Sequence, residues 1–406
     1  MITSPKNLRT GRSIWQGRRS PKVPVHALKR DIESDVLIIG AGITGAMIAD
    51  SLSAAGLKIA VADKRGPAKG STIASTAMVL YEIDTPLTTL SRKIGKADAT
   101  RAWRRSRLAV DAIAARLGEL GVPDVARRNS LYLAGNVLDP KGLLREQEAR
   151  RAVGLASRFF DRRTLHDKFG IRAEAAIAGF GDLAVDPRKA TLGLLEAACE
   201  QGATIYAPVE IVDIDAKRSS VIATAANGRR IRVRHLVFAT GYEFPDSVPR
   251  KGHKIVSTWA IATVPQPRRL WRGQDMIWEA SEPYLYLRTT SDGRVICGGE
   301  DEDVSDTQTR DALLPAKTET LRRKLGRLMP GLDTTAAFRW TGSFGQTETG
   351  LPTIGKVPAL QNCWVALGYG GNGITYSRIA ADIITGALTD RPDIDADLYD
   401  FPRRSL

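Results

Sequence analysis

The chain of 406 residues carries 59 Lys or Arg against 45 Asp or Glu, a formal charge of +14, with 43% hydrophobic and 26% charged residues. This composition excludes wholesale disorder and a fibrous chain, and the length admits two or three compact units. No apolar run approaches the roughly 18–20 residues that a bilayer span needs, so no membrane span is expected. Three widely spaced cysteines, Cys199, Cys297 and Cys363, form neither a disulfide framework nor a zinc cluster and suit a reducing, cytoplasmic home.

Residues 1–30 hold eight basic side chains and no acid. After Arg18-Arg19 the chain reads Ser-Pro-Lys-Val-Pro-Val-His instead of an apolar segment, so an irregular basic arm lying on the folded body is expected rather than an export signal. No basic helix interleaved with aromatics follows, and nucleic acid is not expected as a partner. Asp35–Ile39 is a short apolar, β-branched run that reads as a buried parallel strand. Small and apolar residues then recur at helical spacing to Ala55, Gly56 ends the helix, and Lys58–Ala62 is the next strand.

Between strand and helix stands Gly40-Ala-Gly42-Ile43-Thr44-Gly45. Gly40 permits the tight turn, Gly42 lets the backbone approach a pyrophosphate, and Gly45 lets the helix sit close to the strand. Main-chain N–H groups at the helix start, those of Ile43 and Thr44 among them, then face the phosphate charge. Asp63 ends the second strand eighteen residues after Gly45, where a carboxylate can accept both hydroxyls of an adenosine ribose; Lys64 and Arg65 follow it. This is a dinucleotide fingerprint with strand, helix and acid in place. The segment after Arg65, rich in small and hydroxyl residues (Gly70, Ser71, Thr72, Ser75, Thr76), suits a loop running along an extended cofactor.

Residues 101–121 and 141–160 read as charged amphipathic helices. Thr191–Ala198 marks another helix, Thr204–Tyr206 a strand, and Val209–Ile214 with Val221–Ala225 a strand pair. His235–Ala239 is a further buried strand, leading into Thr240-Gly241. From about 255 to 300 the pattern changes to alternating strands such as Pro283–Arg288 and Arg294–Cys297, joined by a turn at Ser291-Asp-Gly293, which predicts an antiparallel sheet. The acidic clusters at 300–303 and 393–397 lack calcium-loop glycine spacing and are expected to face solvent, with no metal site; His235 and His253 read as structural. A second glycine-rich turn, Gly368-Tyr369-Gly370-Gly371-Asn372-Gly373-Ile374-Thr375, opens the last helix. The fingerprint alone does not separate NAD from FAD. A second helix N-terminus without a P-loop lysine favours FAD, because partial positive charge there stabilises a reduced flavin's pyrimidine edge.

These motifs, in this order, resemble the glycine/D-amino-acid oxidase-like flavoproteins, the DAO family, from about residue 33 to the C-terminus. The resemblance rests on Gly40–Gly45 with Asp63, Gly70–Thr76, Val185-Asp-Pro187, Phe238–Tyr242, Trp340–Gly342 through Gly350–Gly355, and Gly368–Gly373. It implies an α/β chain with a Rossmann-type FAD-binding domain and an inserted α+β substrate domain built on an antiparallel sheet. The expected boundaries are an arm at 1–30, an FAD-binding part at 31–115, 175–248 and 345–406, and a substrate part at 116–174 and 249–344. It also implies FAD contacts at the glycines and hydroxyls named above, at Val209 and at Thr240-Gly241. The implied activity is oxidation of the C–N bond of an amine or amino acid by hydride transfer to flavin, with O2 or another acceptor taking the electrons.

Two departures matter. Where such relatives carry a carboxylate-gripping arginine or a flavin-bonding cysteine, this chain has Phe344, so FAD is expected to be non-covalent and the usual clamp is missing. Arg288 is the expected substitute, and the position matching an oxygen-activating lysine falls near Ile296. Candidate pocket residues are Tyr81, Tyr284, Tyr286, Arg288, Trp340, Phe344, Tyr369 and Tyr376, any of which core packing also explains. Two other readings stay open: an RNA-modifying flavoprotein served by the basic arm, and the flavin subunit of a heteromeric amine dehydrogenase.

Overall fold

The computed structural model describes residues 2–3, 6–249 and 252–401. Strand Ile32–Ile39 buries Val36, Leu37 and Ile38 completely, as a strand covered on both faces must. It ends at Gly40, whose φ of 115° is open to glycine and closed to most side chains. Helix Ile43–Ala54 and strand Ile59–Ala62 complete a right-handed-type crossover unit, the two strands pairing in parallel. Eight strands form this sheet among the described residues. Its spine runs Thr353–Lys356, Cys363–Leu367, Arg230–Phe238, Ile32–Ile39, Ile59–Ala62 and Thr204–Tyr206, with Ile211–Ala216 and Val221–Ala225 folded onto Arg230–Phe238 as an antiparallel flap.

The second sheet has ten strands. It is antiparallel throughout except where Met276–Glu279 runs parallel to Ala126–Leu133. Alternation sorts its residues by face. Trp259, Ile261, Leu285, Leu287 and Cys297 pack outward with Leu321, Leu325 and Leu328 of helix Leu314–Leu328. Val256, Ala260, Ile296, Trp340 and Phe344 face inward and join the core formed by helices Ile43–Ala54 and Gly373–Leu388. A cleft lies between the two sheets.

Three expectations need correction. Ala175–Ala184, placed with the nucleotide-binding part, is a strand of the ten-stranded sheet, paired with Ala126–Leu133 and Ser157–Asp161; its Ala/Gly-rich sequence has little β propensity of its own, and its partners impose the conformation. The helix expected over 141–160 stops at Ala152, and Ser157–Asp161 is a strand. The arm is not irregular throughout. Arg9–Arg12 adds an edge strand to Ala336–Thr347, and Arg18 pairs with Asp292 at 2.7 Å.

Candidate cofactor and substrate cleft

The cleft encloses about 1770 Å³ counting its open mouth, more than a single small ligand requires. Its first end is the glycine turn. A Cβ on Gly40 would meet the Ala239 carbonyl oxygen at 2.4 Å, and one on Gly45 would meet the Gly40 carbonyl oxygen at 1.8 Å. Gly45 therefore does not line the cleft; it seats the helix against the strand. Gly40, Gly42, Ile43 and Thr44 do line it. The helix has no side-chain cap at Gly42, so its first turn presents main-chain donors, although the Ile43 N–H is taken at 3.0 Å by Thr72 Oγ1.

Asp63 is more occupied than its position in the sequence suggests. Oδ1 accepts from the Arg65 and Gly66 N–H groups, both at 2.7 Å, and Oδ2 from Ala41 N–H at 2.8 Å. With two lone pairs per oxygen, Oδ2 keeps one acceptor position and Oδ1 none, so one ribose hydroxyl fits where two were expected. Lys64 and Arg65 are both held by Glu243, at 3.0 and 2.6 Å. Val209, Glu210, Thr240 and Gly241 complete this end.

The loop over Gly70–Ala77 crosses the middle of the cleft, and three side chains pin its carbonyls. Trp15 Nε1–H donates to Ser75 at 2.7 Å, Trp340 Nε1–H to Ala74 at 2.8 Å, and Arg288 Nη1 to Ala77 at 2.7 Å and to Val185 at 2.8 Å. Arg288 is fully enclosed, stacks over Trp15 at 5.5 Å, and has its pKa lowered to about 9 by burial. The expected substrate clamp is thus a clamp on the main chain. Arg288 and Trp340 stand behind the cleft wall, not on it. Ser71, Thr72, Ser75 and Thr76 line the cleft.

The C-terminal turn forms the next wall, with Tyr369, Gly370, Gly371, Asn372, Gly373 and Ile374 lining it. Asn372 is committed to the protein: it donates to the Glu82 carbonyl at 2.8 Å and accepts from Asp84 N–H at 3.2 Å. Thr375, expected at the cofactor, donates to the Leu80 carbonyl at 2.8 Å and lies outside the lining. Asp84 Oδ2 accepts from Gly371 N–H at 2.7 Å, taking one donor of the helix N-terminus. Asp84 is exposed along the cleft wall yet enclosed by protein on its other sides; that enclosure raises its pKa, opposed by the Gly371 N–H.

The far end belongs to the ten-stranded sheet: Thr258, Trp278, Tyr284, Tyr286 and Phe344. Trp278 stacks on Tyr132 at 3.8 Å, and its indole N–H has no partner within the described protein. Tyr284 and Tyr286 lie 5.4 Å apart. Tyr81 and Tyr376 are core residues instead, Tyr81 edge-on to Trp103 and Tyr376 donating to the Gly350 carbonyl at 3.0 Å. The acidic run at 300–303 does not uniformly face solvent either. Glu300 is buried against Lys317 and Lys324, and both Asp301 oxygens are buried beside the Thr258 and Tyr284 side chains. Sequence reading missed Asp84, Thr258, Trp278 and Asp301. None sits in a local motif: strand pairing brings Thr258, Trp278 and Asp301 together, and hydrogen bonds to Gly371 and Asn372 bring the loop residue Asp84 to them.

The residues present fit FAD. A glycine cradle that a Cβ would fill, a capless helix start, a carboxylate with a free acceptor position and a hydroxyl-rich loop describe a site for an extended, diphosphate-bridged dinucleotide. Fold and site together define a dinucleotide-binding chain whose cleft runs on beneath the ten-stranded sheet. The family model for FAD-dependent oxidoreductases of the DAO type matches residues 35–387, and the chain belongs to this family. It is similar to glycine oxidase of Geobacillus kaustophilus, 23% identical over 389 residues that cover 90% of this chain and 96% of the relative. Among solved structures it resembles L-proline dehydrogenase from P. horikoshii, with TM-score 0.77, 19% identity, and 91% and 97% of the two chains covered. It also resembles L-amino acid deaminase from Proteus myxofaciens, with TM-score 0.76, 14% identity and 98% of each chain covered. Among the described residues no helix is long and apolar enough to cross a membrane.

Proposed function

We propose that this FAD-dependent oxidoreductase oxidises the C–N bond of an amine or amino acid. The observation that carries this reading is the continuity of one cleft from the glycine turn and Asp63 to a wall of Thr258, Trp278, Tyr284, Tyr286 and Phe344. A bound FAD would supply the hydride acceptor and the redox link to O2 or another acceptor. The substrate loses a hydride from the carbon beside nitrogen and a proton from nitrogen, and water hydrolyses the resulting imine. The chain's own contribution is to hold and dry the reactants: Tyr284, Tyr286 and Phe344 exclude water, and the pinned loop at 74–77 fixes the floor. Ile296 is completely buried in the core and contributes no charge toward an acceptor. Cysteine and histidine are missing from the described lining, which supports non-covalent FAD. The free cysteines support a cytoplasmic location.

Anaerobic mixing with glycine, sarcosine, D-amino acids and alkylamines tests the reading. At least one class is expected to bleach the flavin. A flavin reduced only by alcohols or hydroxy acids would replace it with C–O chemistry.

A further inference from the structure

Among the described residues, the sheet-roofed end of the cleft has one carboxyl group on its wall, Asp84, a second buried directly behind that wall, Asp301, and no cation. Lys64 and Arg65 are the only basic residues in the described lining, and Glu243 ties both to the other end. Asp84 stands on the wall at the C-terminal turn. Asp301 comes to lie behind the same wall, beside Thr258 and Tyr284, through an irregularity in its strand. Strand Val295–Glu302 pairs Gly299 with Trp259 and Glu302 with Ser257, so it carries one more residue than its partner between these points. Strict alternation from Ile296, which faces the inner core, would send Glu300 inward and Asp301 outward. The extra residue, with Glu300 at φ 59°, reverses them. Glu300 meets Lys317 and Lys324 on the outer helix, while Asp301 turns toward Thr258 and Tyr284 and is influenced by the charge of Asp84. Gly298 makes the adjoining space: a Cβ there would strike the Tyr286 ring at 2.6 Å.

We infer that Asp84 and Asp301, with the faces of Trp278, Tyr284 and Tyr286, form a receptor for a substrate ammonium group, so that the enzyme's substrate class is a cationic amine held without an arginine grip on a carboxylate. This rests on the proposed C–N oxidation. The physics is direct. Two acids within range of each other's charge are costly to ionise together, and burial pushes Asp301 up to about 7 with the charge of Asp84 adding to the effect. An ammonium on the wall at Asp84 relieves both, directly at Asp84 and through the field of the buried Asp301 behind it, and aromatic faces add cation–π attraction. A substrate carboxylate would instead meet two acids; the Trp278 indole N–H is a neutral donor and does not offset them.

The test uses the full-length, FAD-loaded protein and two non-reacting probes read by the flavin absorbance spectrum: benzyltrimethylammonium and benzoate. The ammonium is expected to perturb the spectrum saturably and benzoate is not. Asp84→Asn and Asp301→Asn, both still yellow, each weaken the ammonium about 10- to 100-fold, the scale of one charge-assisted hydrogen bond or ion pair. Benzoate binding with no ammonium binding overturns the inference, as does ammonium binding that neither variant changes. The outcomes separate the two readings. Bleaching by amino acids without ammonium binding sinks the inference and leaves C–N oxidation standing. Ammonium binding lost in the variants, with no amine or amino acid bleaching the flavin, does the reverse.

Discussion

The two ends of the cleft are built by different rules. At the first end, a contiguous stretch from Ile32 to Asp63 supplies strand, turn, helix and acid, and each glycine answers a distance: 2.4 Å at Gly40, 1.8 Å at Gly45. At the far end, Thr258, Trp278, Tyr286 and Asp301 come from separate strands and meet through sheet register, and Asp84 joins them from a loop held by Gly371 and Asn372. The first end offers main-chain groups and tolerates almost no change. The second offers side chains on a rigid sheet, where the groups presented can vary while the fold stays fixed.

The sharpest way to test that contrast is to add one carbon at the first end. Gly45→Ala places a Cβ against a main-chain oxygen that cannot move without unseating the helix, so the purified protein is expected to be colourless and to retain no FAD. Bound flavin per protein, read at its visible absorption band, is the measurement. A yellow Gly45→Ala protein would mean that the helix is not pressed on the strand as described.

Arg288 tests where the boundary between the two ends falls. Because it bonds the carbonyls of Ala77 and Val185 and lies behind the wall, Arg288→Met should leave buried acceptors unpaired and cost about 3 kcal/mol or more of stability, with flavin lost on dialysis. Preference between amines and amino acids among the flavin-loaded fraction should not move. Thermal unfolding and the ratio of bleaching rates separate these effects. A selective loss for amino acids would return Arg288 to the role its sequence position suggested.

Acidity probes the far end more gently. With Asp301 pushed up to about 7, the group is neutral below that pH and a carboxylate above it. Affinity for benzyltrimethylammonium should therefore rise as pH climbs through about 7, by about the same 10- to 100-fold that Asp301→Asn removes, because both changes take away one negative charge. The other groups facing Asp301 are Asp84, Tyr284 and Thr258, with the charge of Lys317 acting from the outer helix. The tyrosines, raised further by burial, stay neutral across this range. In Asp301→Asn the rise should flatten.

Legibility in the sequence follows the same division. The crossover unit was readable because hydrophobic runs, glycine positions and Asp63 lie within thirty-odd residues and obey local rules. The antiparallel sheet was readable as a class from alternation over 255–300, but the bulge at Glu300 was not. A one-residue slip in register leaves no mark in a single strand's composition, and it decides which of Glu300 and Asp301 faces the cleft. Arg288 was misassigned for a related reason. An arginine on a strand reads the same whether it meets a substrate or three carbonyl oxygens, and only the path of residues 74–77 tells them apart. The strand Ala175–Ala184 was hidden by its alanines and glycines.

The smallest change reaches the basic arm, whose charge suggested a partner but whose tryptophan touches the cofactor loop. Trp15 is 1% exposed and donates its single N–H to the Ser75 carbonyl. Trp15→Phe keeps most of the buried ring surface, so the hydrophobic term changes little, while one main-chain acceptor loses its donor. The expected cost is about 1 kcal/mol, read as a small drop in thermal stability with FAD present. Because the bond holds the loop rather than the global core, flavin release should quicken more than unfolding does. Trp340→Phe, which frees the neighbouring Ala74 carbonyl from the opposite side, gives the matching measurement. Equal, small effects on flavin release would show that arm and sheet share the loop between them. An unaffected Trp15→Phe beside an impaired Trp340→Phe would place the loop's support in the sheet alone and leave the arm as a cover.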